Sequence, residues 1–144
     1  MYNPAEALSI VGIYDPGIAN LERVIFRANT QVNLASYLLF AAFKAQHGIG
    51  AVPLTDNSMW LGNSMAEQGD WVYIYTGPGT AQVNVVPTTP NRIISLYWGK
   101  NHTIFQASHL TVALVKIDTV QYPPMASQFT LGQQQTAYPL LNST

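Results

Sequence analysis

No cysteine occurs anywhere in the 144 residues, which removes disulfides, thiolate nucleophiles and cysteine-ligated zinc from consideration. Charge is almost as scarce. Asp, Glu, Lys and Arg make up 9% of the chain and hydrophobic residues 48%, whereas an ordinary globular domain carries about 25% charged residues. The surface must therefore be built from Asn, Gln, Ser, Thr and apolar groups. Such a surface favours a chain packed against neighbours, because interface cores lose charge; the uncharged polar exterior of a secreted protein is the competing reading. Six Lys and Arg against seven Asp and Glu leave a net charge of −1. Without a basic run, nothing attracts phosphate, and nucleic acid is not expected as a partner. No stretch approaches the roughly 18 apolar residues of a membrane-crossing helix. The N-terminus shows no basic region followed by an apolar run, since Glu6 and Asp15 interrupt it, so a signal peptide is not evident and the compartment stays open.

Catalytic patterns are missing as well. The carboxylates are scattered at Glu6, Asp15, Glu22, Asp56, Glu67, Asp70 and Asp118, and only Glu67 and Asp70 are close in sequence. A turn before a strand accounts for that pair better than a glycosidase dyad does. His47, His102 and His109 lack the short spacings of metal sites, and no Gly-x-Ser-x-Gly elbow occurs. Gly77-Pro78-Gly79 has no following Lys-Ser or Lys-Thr, so it reads as a turn and not as a phosphate cradle. Asn101-His102-Thr103 and Asn142-Ser143-Thr144 match the glycosylation acceptor pattern, which arises readily by chance in Asn- and Thr-rich chains. The expectation is a non-enzyme with no cofactor and no metal.

What is present is β-strand chemistry. The stretch Gly69–Gly79 is a turn, an aromatic and β-branched strand, and a second turn. Alternation puts Trp71, Tyr73 and Tyr75 on one face and Val72, Ile74 and Thr76 on the other. Neither face is frankly polar, so this is expected to be the central strand, covered on both sides. Glu22 to Asn29 reads as a clean inside-outside strand, with Val24 and Phe26 opposed to Arg23, Ile25 and Arg27. Ala7 to Tyr14, closed by Asp15-Pro16-Gly17, fits an edge strand or arm.

Residues 32–45 are ambiguous, because Asn33 can cap a helix carrying Leu34, Leu38 and Ala41 on one stripe, while Tyr37 to Phe43 also suits a strand. Gln46 to Gly50 reads as a turn, Ala51 to Leu54 as a short strand, and Thr55 to Ser58 as a further turn, leaving Met59 and Trp60 in a polar loop. Thr80 to Asn91 reads as a long Pro-bearing loop, Ile93 to Lys100 as a second aromatic strand, and Leu110 to Val120 as the last strong element. Six or seven strands at these intervals describe a β-sandwich in a single domain.

Three stretches, in order, resemble the lamin tail domain, an immunoglobulin-like β-sandwich found in nuclear lamins and as a module of bacterial proteins. They are Glu22 to Asn29 followed by Val32 to Leu39; Gly69 to Gly79; and Leu96-Tyr97-Trp98-Gly99 followed by Ile104-Phe105 and Leu110 to Val120. The likeness spans roughly residues 22–120. It implies strand rather than helix at residues 34–43, and a non-catalytic binding or scaffold module with no active-site residues to carry over. Ala35-Ser36-Tyr37 and Ser108-His109 depart from the family's pattern.

The expected fold is therefore all-β, an immunoglobulin-like antiparallel β-sandwich over residues 22–120, with a strand or arm at 1–21 and a polar tail at 121–144. The leading functional expectation is a structural protein that packs through apolar faces and its C-terminal arm. Its partners would be copies of itself, as a homo-oligomer, or a larger scaffold such as a virus-like particle or surface layer. Met59, Trp60 and Tyr138 are the candidate contacts. The alternative is a module binding glycan or peptide through its loops, with Trp60, Trp98 and Asn101 as the ligand patch.

Overall fold

The computed structural model describes residues 6–44 and 51–124. In chain order these form β1 (Leu8–Tyr14), β2 (Arg23–Ala28), β3 (Val32–Asn33), a 3₁₀ turn at Leu34–Ser36, β4 (Tyr37–Lys44), β5 (Ala51–Trp60), β6 (Met65–Ala66), β7 (Trp71–Tyr75), β8 (Gln82–Val85), β9 (Arg92–Tyr97) and β10 (Leu110–Lys116). A five-stranded sheet in the order β1-β2-β7-β9-β8 faces a three-stranded sheet in the order β10-β4-β5, and β3 pairs with β6 at the side. The fold is an all-β sandwich.

The core follows from alternation. Val24 and Phe26 on β2, Val72 and Ile74 on β7, and Ile94 and Leu96 on β9 meet Tyr37, Leu39 and Ala41 on β4 and Val112 on β10. β7 is the middle strand of the larger sheet, as its two apolar faces predict. Its Val72 and Ile74 are fully buried, while Trp71, Tyr73 and Tyr75 form a half-buried outer face. Residues 34–43 settle the helix-or-strand ambiguity in favour of the strand. Asn33 does cap, accepting a hydrogen bond from the Ala35 N–H at 3.0 Å, but it caps one 3₁₀ turn before Tyr37 turns extended and β4 pairs on both edges.

Three expectations need correction. Thr55 to Ser58, read as a turn, and Met59-Trp60, read as a loop, lie within the continuous strand β5. The pairing register with β4 slips between Phe40 and Ala42, and Asp56 takes a left-handed backbone at φ 67°, so the turn-forming residues are absorbed as a bulge. The Thr80 to Asn91 loop contains β8, because β9 offers an edge that a Gln-Val-Asn-Val alternation can join. The sheets are also not wholly antiparallel: β7 and β9 run parallel, with β8 outside them as the antiparallel edge. The turn read at Gln46 to Gly50 lies outside the described residues.

Candidate interaction surface

Two buried acids fix the ends of the larger sheet. Glu22, 1% exposed, precedes β2 and accepts four hydrogen bonds: from the N–H groups of Gly17 (2.8 Å), Ile104 (2.7 Å) and Phe105 (2.9 Å), and from Thr76 Oγ1 (2.8 Å). One carboxylate thus ties the loop before β2, the end of β7 and the segment after β9. At the opposite end, Asp70 precedes β7 and accepts from the N–H of Glu67 (2.8 Å) and of Arg92 (3.0 Å), and from Arg92 Nε (3.0 Å) and Nη2 (2.7 Å). Burial pushes the Asp70 carboxyl up, but the Arg92 side chain, the two backbone donors and the guanidinium charge outweigh it and hold it below the ordinary range. Both acids have structural duties.

Above Glu22 an open pocket of about 300 Å³ lies at the end shared by the parallel strands β7 and β9. Asn20, Thr76, Gly77, Lys100, Asn101 and His102 are among its lining. It offers amide, hydroxyl and imidazole groups and one ammonium, with Lys100 Nζ also reaching the Asp56 carbonyl at 3.4 Å. That chemistry can hydrogen-bond a small polar ligand.

On the outer face of the larger sheet, Tyr14, Arg23, Tyr75 and Tyr97 stand opposite one another across β1, β2, β7 and β9. Tyr75 and Tyr97 stack at 5.2 Å, and the Arg23 guanidinium sits 5.7 Å from the Tyr14 ring and 6.0 Å from that of Tyr75. Arg23 also donates to Asp15 at 2.7 Å and to the Leu21 carbonyl at 2.8 Å, although its Nε is buried without a partner. Arg27 lies over Trp71 at 4.2 Å. This row largely satisfies itself, and it makes the outer face half-apolar without being open.

The edge strand β8 is different. Val83 pairs with Ile94, a core residue, so Val83 and Val85 belong to the inner side of the sheet. Yet they are 51% and 71% exposed. The three-stranded sheet stops short of β8, and its inner valines stand in solvent. Among the described residues β8 has no neighbour on its other side.

Of the residues singled out in the sequence, Trp60 is 48% exposed on the outer face of β5, its indole N–H donating to the Ala35 carbonyl at 2.8 Å. Met59 points the other way and packs partly against the core. Tyr138 lies outside the described residues. Asn101 lines the pocket, whereas Trp98 is half-buried against Phe105 with its indole N–H unpartnered. Trp60 is carried by the smaller sheet and Trp98 follows a strand of the larger one, and nothing pairs them directly. Among the described residues no group of three or more His, Asp or Glu is placed to hold a metal ion, and no helix is long and apolar enough to cross a membrane. Sequence reasoning put Val83, Val85 and Val86 inside a loop long enough to be a functional excursion, and missed the strand. The alternation of Val83 and Val85 with Gln82 and Asn84 was the available signal.

No known protein family, characterised protein or solved structure matches the chain.

Proposed function

We propose that this protein is a non-catalytic assembly module that binds copies of itself or a larger protein scaffold through apolar β surfaces. One observation carries the reading: large apolar side chains stand in solvent at Val83, Val85 and Trp60, on strands of a chain with few charges to compensate. The two valines lie together on an open sheet edge, which is a ready template for pairing with another chain. In this reading the chain is a lamin-tail-like scaffold module. The stretches carrying that likeness fall on β2 with β3 and β4, on β7, and on β9 with β10; the parallel β7–β9 pair is the feature least in keeping with an all-antiparallel sandwich.

The test is the mass in solution, by size-exclusion chromatography with light scattering, of the full chain and of a chain ending at Tyr122. The expected result is a multiple of 15.8 kDa for the full chain, with a smaller mass on truncation if the arm contributes. A monomer of 15.8 kDa at every concentration sinks self-assembly. A second reading rests on the pocket at Asn101: a recognition module for a small polar ligand or glycan. Binding in a glycan screen that Lys100→Ala or Asn101→Ala abolishes, with the fold intact, would favour it.

A further inference from the structure

We infer that β8 is the self-association edge, pairing antiparallel with β8 of a second copy about a two-fold axis at Asn84, so that two five-stranded sheets become one ten-stranded sheet. The inference rests on the assembly reading above and names its partner and register.

The hydrogen-bond alternation of β8 carries the step. The Val86 N–H donates to the Asn91 carbonyl at 3.0 Å, and Gln82, Val83, Asn84 and Val85 pair with Ser95, Ile94, Ile93 and Arg92 in turn. In an antiparallel ladder hydrogen-bonded and non-bonded pairs alternate. Gln82, Asn84 and Val86 therefore turn their backbone groups toward β9, and Val83 and Val85 turn theirs outward. The two residues whose outward backbone groups have no partner among the described residues are the same two whose side chains stand in solvent.

A two-fold axis perpendicular to the sheet keeps inner faces with inner faces, so partners across it must share a face. Centred on Asn84, it sets Val83 opposite Val85 of the second copy and Val85 opposite its Val83. Each is a bonded pair, giving four backbone hydrogen bonds, and the four valines cover one another on the inner side. Asn84 then meets its own copy in a non-bonded pair, where side chains approach most closely. Every outward group of the strand finds a partner.

Charge agrees with a second copy as the occupant. Residues 71–91 contain no Asp, Glu, Lys, Arg or His, so two copies meet without repulsion, and Arg92 at the strand's end is held by Asp70. Edge strands that avoid pairing carry charges, prolines or bulges. β8 has none, whereas β1 at the other edge of the same sheet is bulged between Ile10 and Gly12. Such a strand contact is smaller than the roughly 1,200–2,000 Å² of a standard interface, so the association is expected to depend on concentration.

The absence of cysteine makes the register directly testable. In a non-bonded antiparallel pair Cα atoms lie about 4.5 Å apart, within reach of a disulfide, so Asn84→Cys should cross-link to its own copy under mild oxidation. Gln82→Cys is the control. In the proposed register its two copies lie about 13 Å apart along the strand and cannot bridge. The expected result is a disulfide-linked dimer forming at least tenfold faster for Asn84→Cys than for Gln82→Cys, with Val85→Lys lowering the mass of the otherwise native protein to that of a monomer. Equal rates, or an assembly that keeps its mass in folded Val85→Lys, would overturn the β8 register and leave the assembly reading standing. A chain that is monomeric throughout would remove the β8 pairing and self-assembly with it.

Discussion

Glu22 accepts side-chain hydrogen bonds from three separate segments, adding to the backbone bond from the Thr76 N–H to its own carbonyl at 3.1 Å. A hydrogen bond to a charged group contributes about 1.5–3 kcal/mol. Glu22→Gln turns one acceptor into a donor facing N–H or O–H groups that are already donors. It is expected to lower unfolding free energy by roughly 3–5 kcal/mol, read from urea denaturation; a loss below about 1 kcal/mol would deny the carboxylate this role. Asp70 gives the pH dependence. Its folded carboxyl titrates below the unfolded value of 3.8, so its stabilisation is present above that value and is lost as the pH falls through the folded one. Asp70→Asn should therefore cost about 2–3 kcal/mol at neutral pH, and the gap from wild type should be smaller at an acid pH below that value. A gap of the same size at both pH values would contradict this linkage. The turn that joins Glu67 to Asp70 was legible in the sequence, but the pairing of Asp70 with Arg92 was not, and Glu22 read only as the start of a strand. Its donors lie up to 83 residues away, and no local pattern announces them.

At the scale of strands and loops, legibility followed the contrast between faces. β2 and β7 were readable because their alternating residues have different destinations, core on one side and aromatic row on the other. β5 was not, because Asp56 and its neighbours have turn chemistry and only the ladder with β4 holds them in a strand. β8 was not either, since its valines are not buried and a Pro- and Thr-rich setting surrounds them. The candidate patch was legible in part: Asn101 lines the pocket and Trp60 is exposed, but they do not converge. The loop joining β7 to β8 allows a sharper prediction. A Cβ at Gly79 would overlap the Tyr97 ring, which is stacked on Tyr75. Gly79→Ala should displace that ring at a cost of about 1–3 kcal/mol and weaken the tyrosine signal in near-ultraviolet circular dichroism. An unchanged spectrum and stability would mean that the loop yields instead.

For the whole molecule, scarcity of charge and an open sandwich edge point the same way. An association built from backbone hydrogen bonds and valines gains little from ionic attraction, so it should persist from about 0.05 to 1 M salt, where exposed ion pairs are screened away. Dissociation on adding salt would place the contact on charged residues elsewhere. The carboxylate of Glu22 has a further consequence, in time rather than in energy. Its partners sit 5, 54, 82 and 83 residues along the chain, so the set cannot close until β7 and the segment beyond β9 have reached β2. Long-range closures of this kind are entropically costly and come late in folding. Losing the Glu22 carboxylate should then leave the folding rate nearly unchanged and accelerate unfolding, which makes this residue a latch on how long the native state lasts.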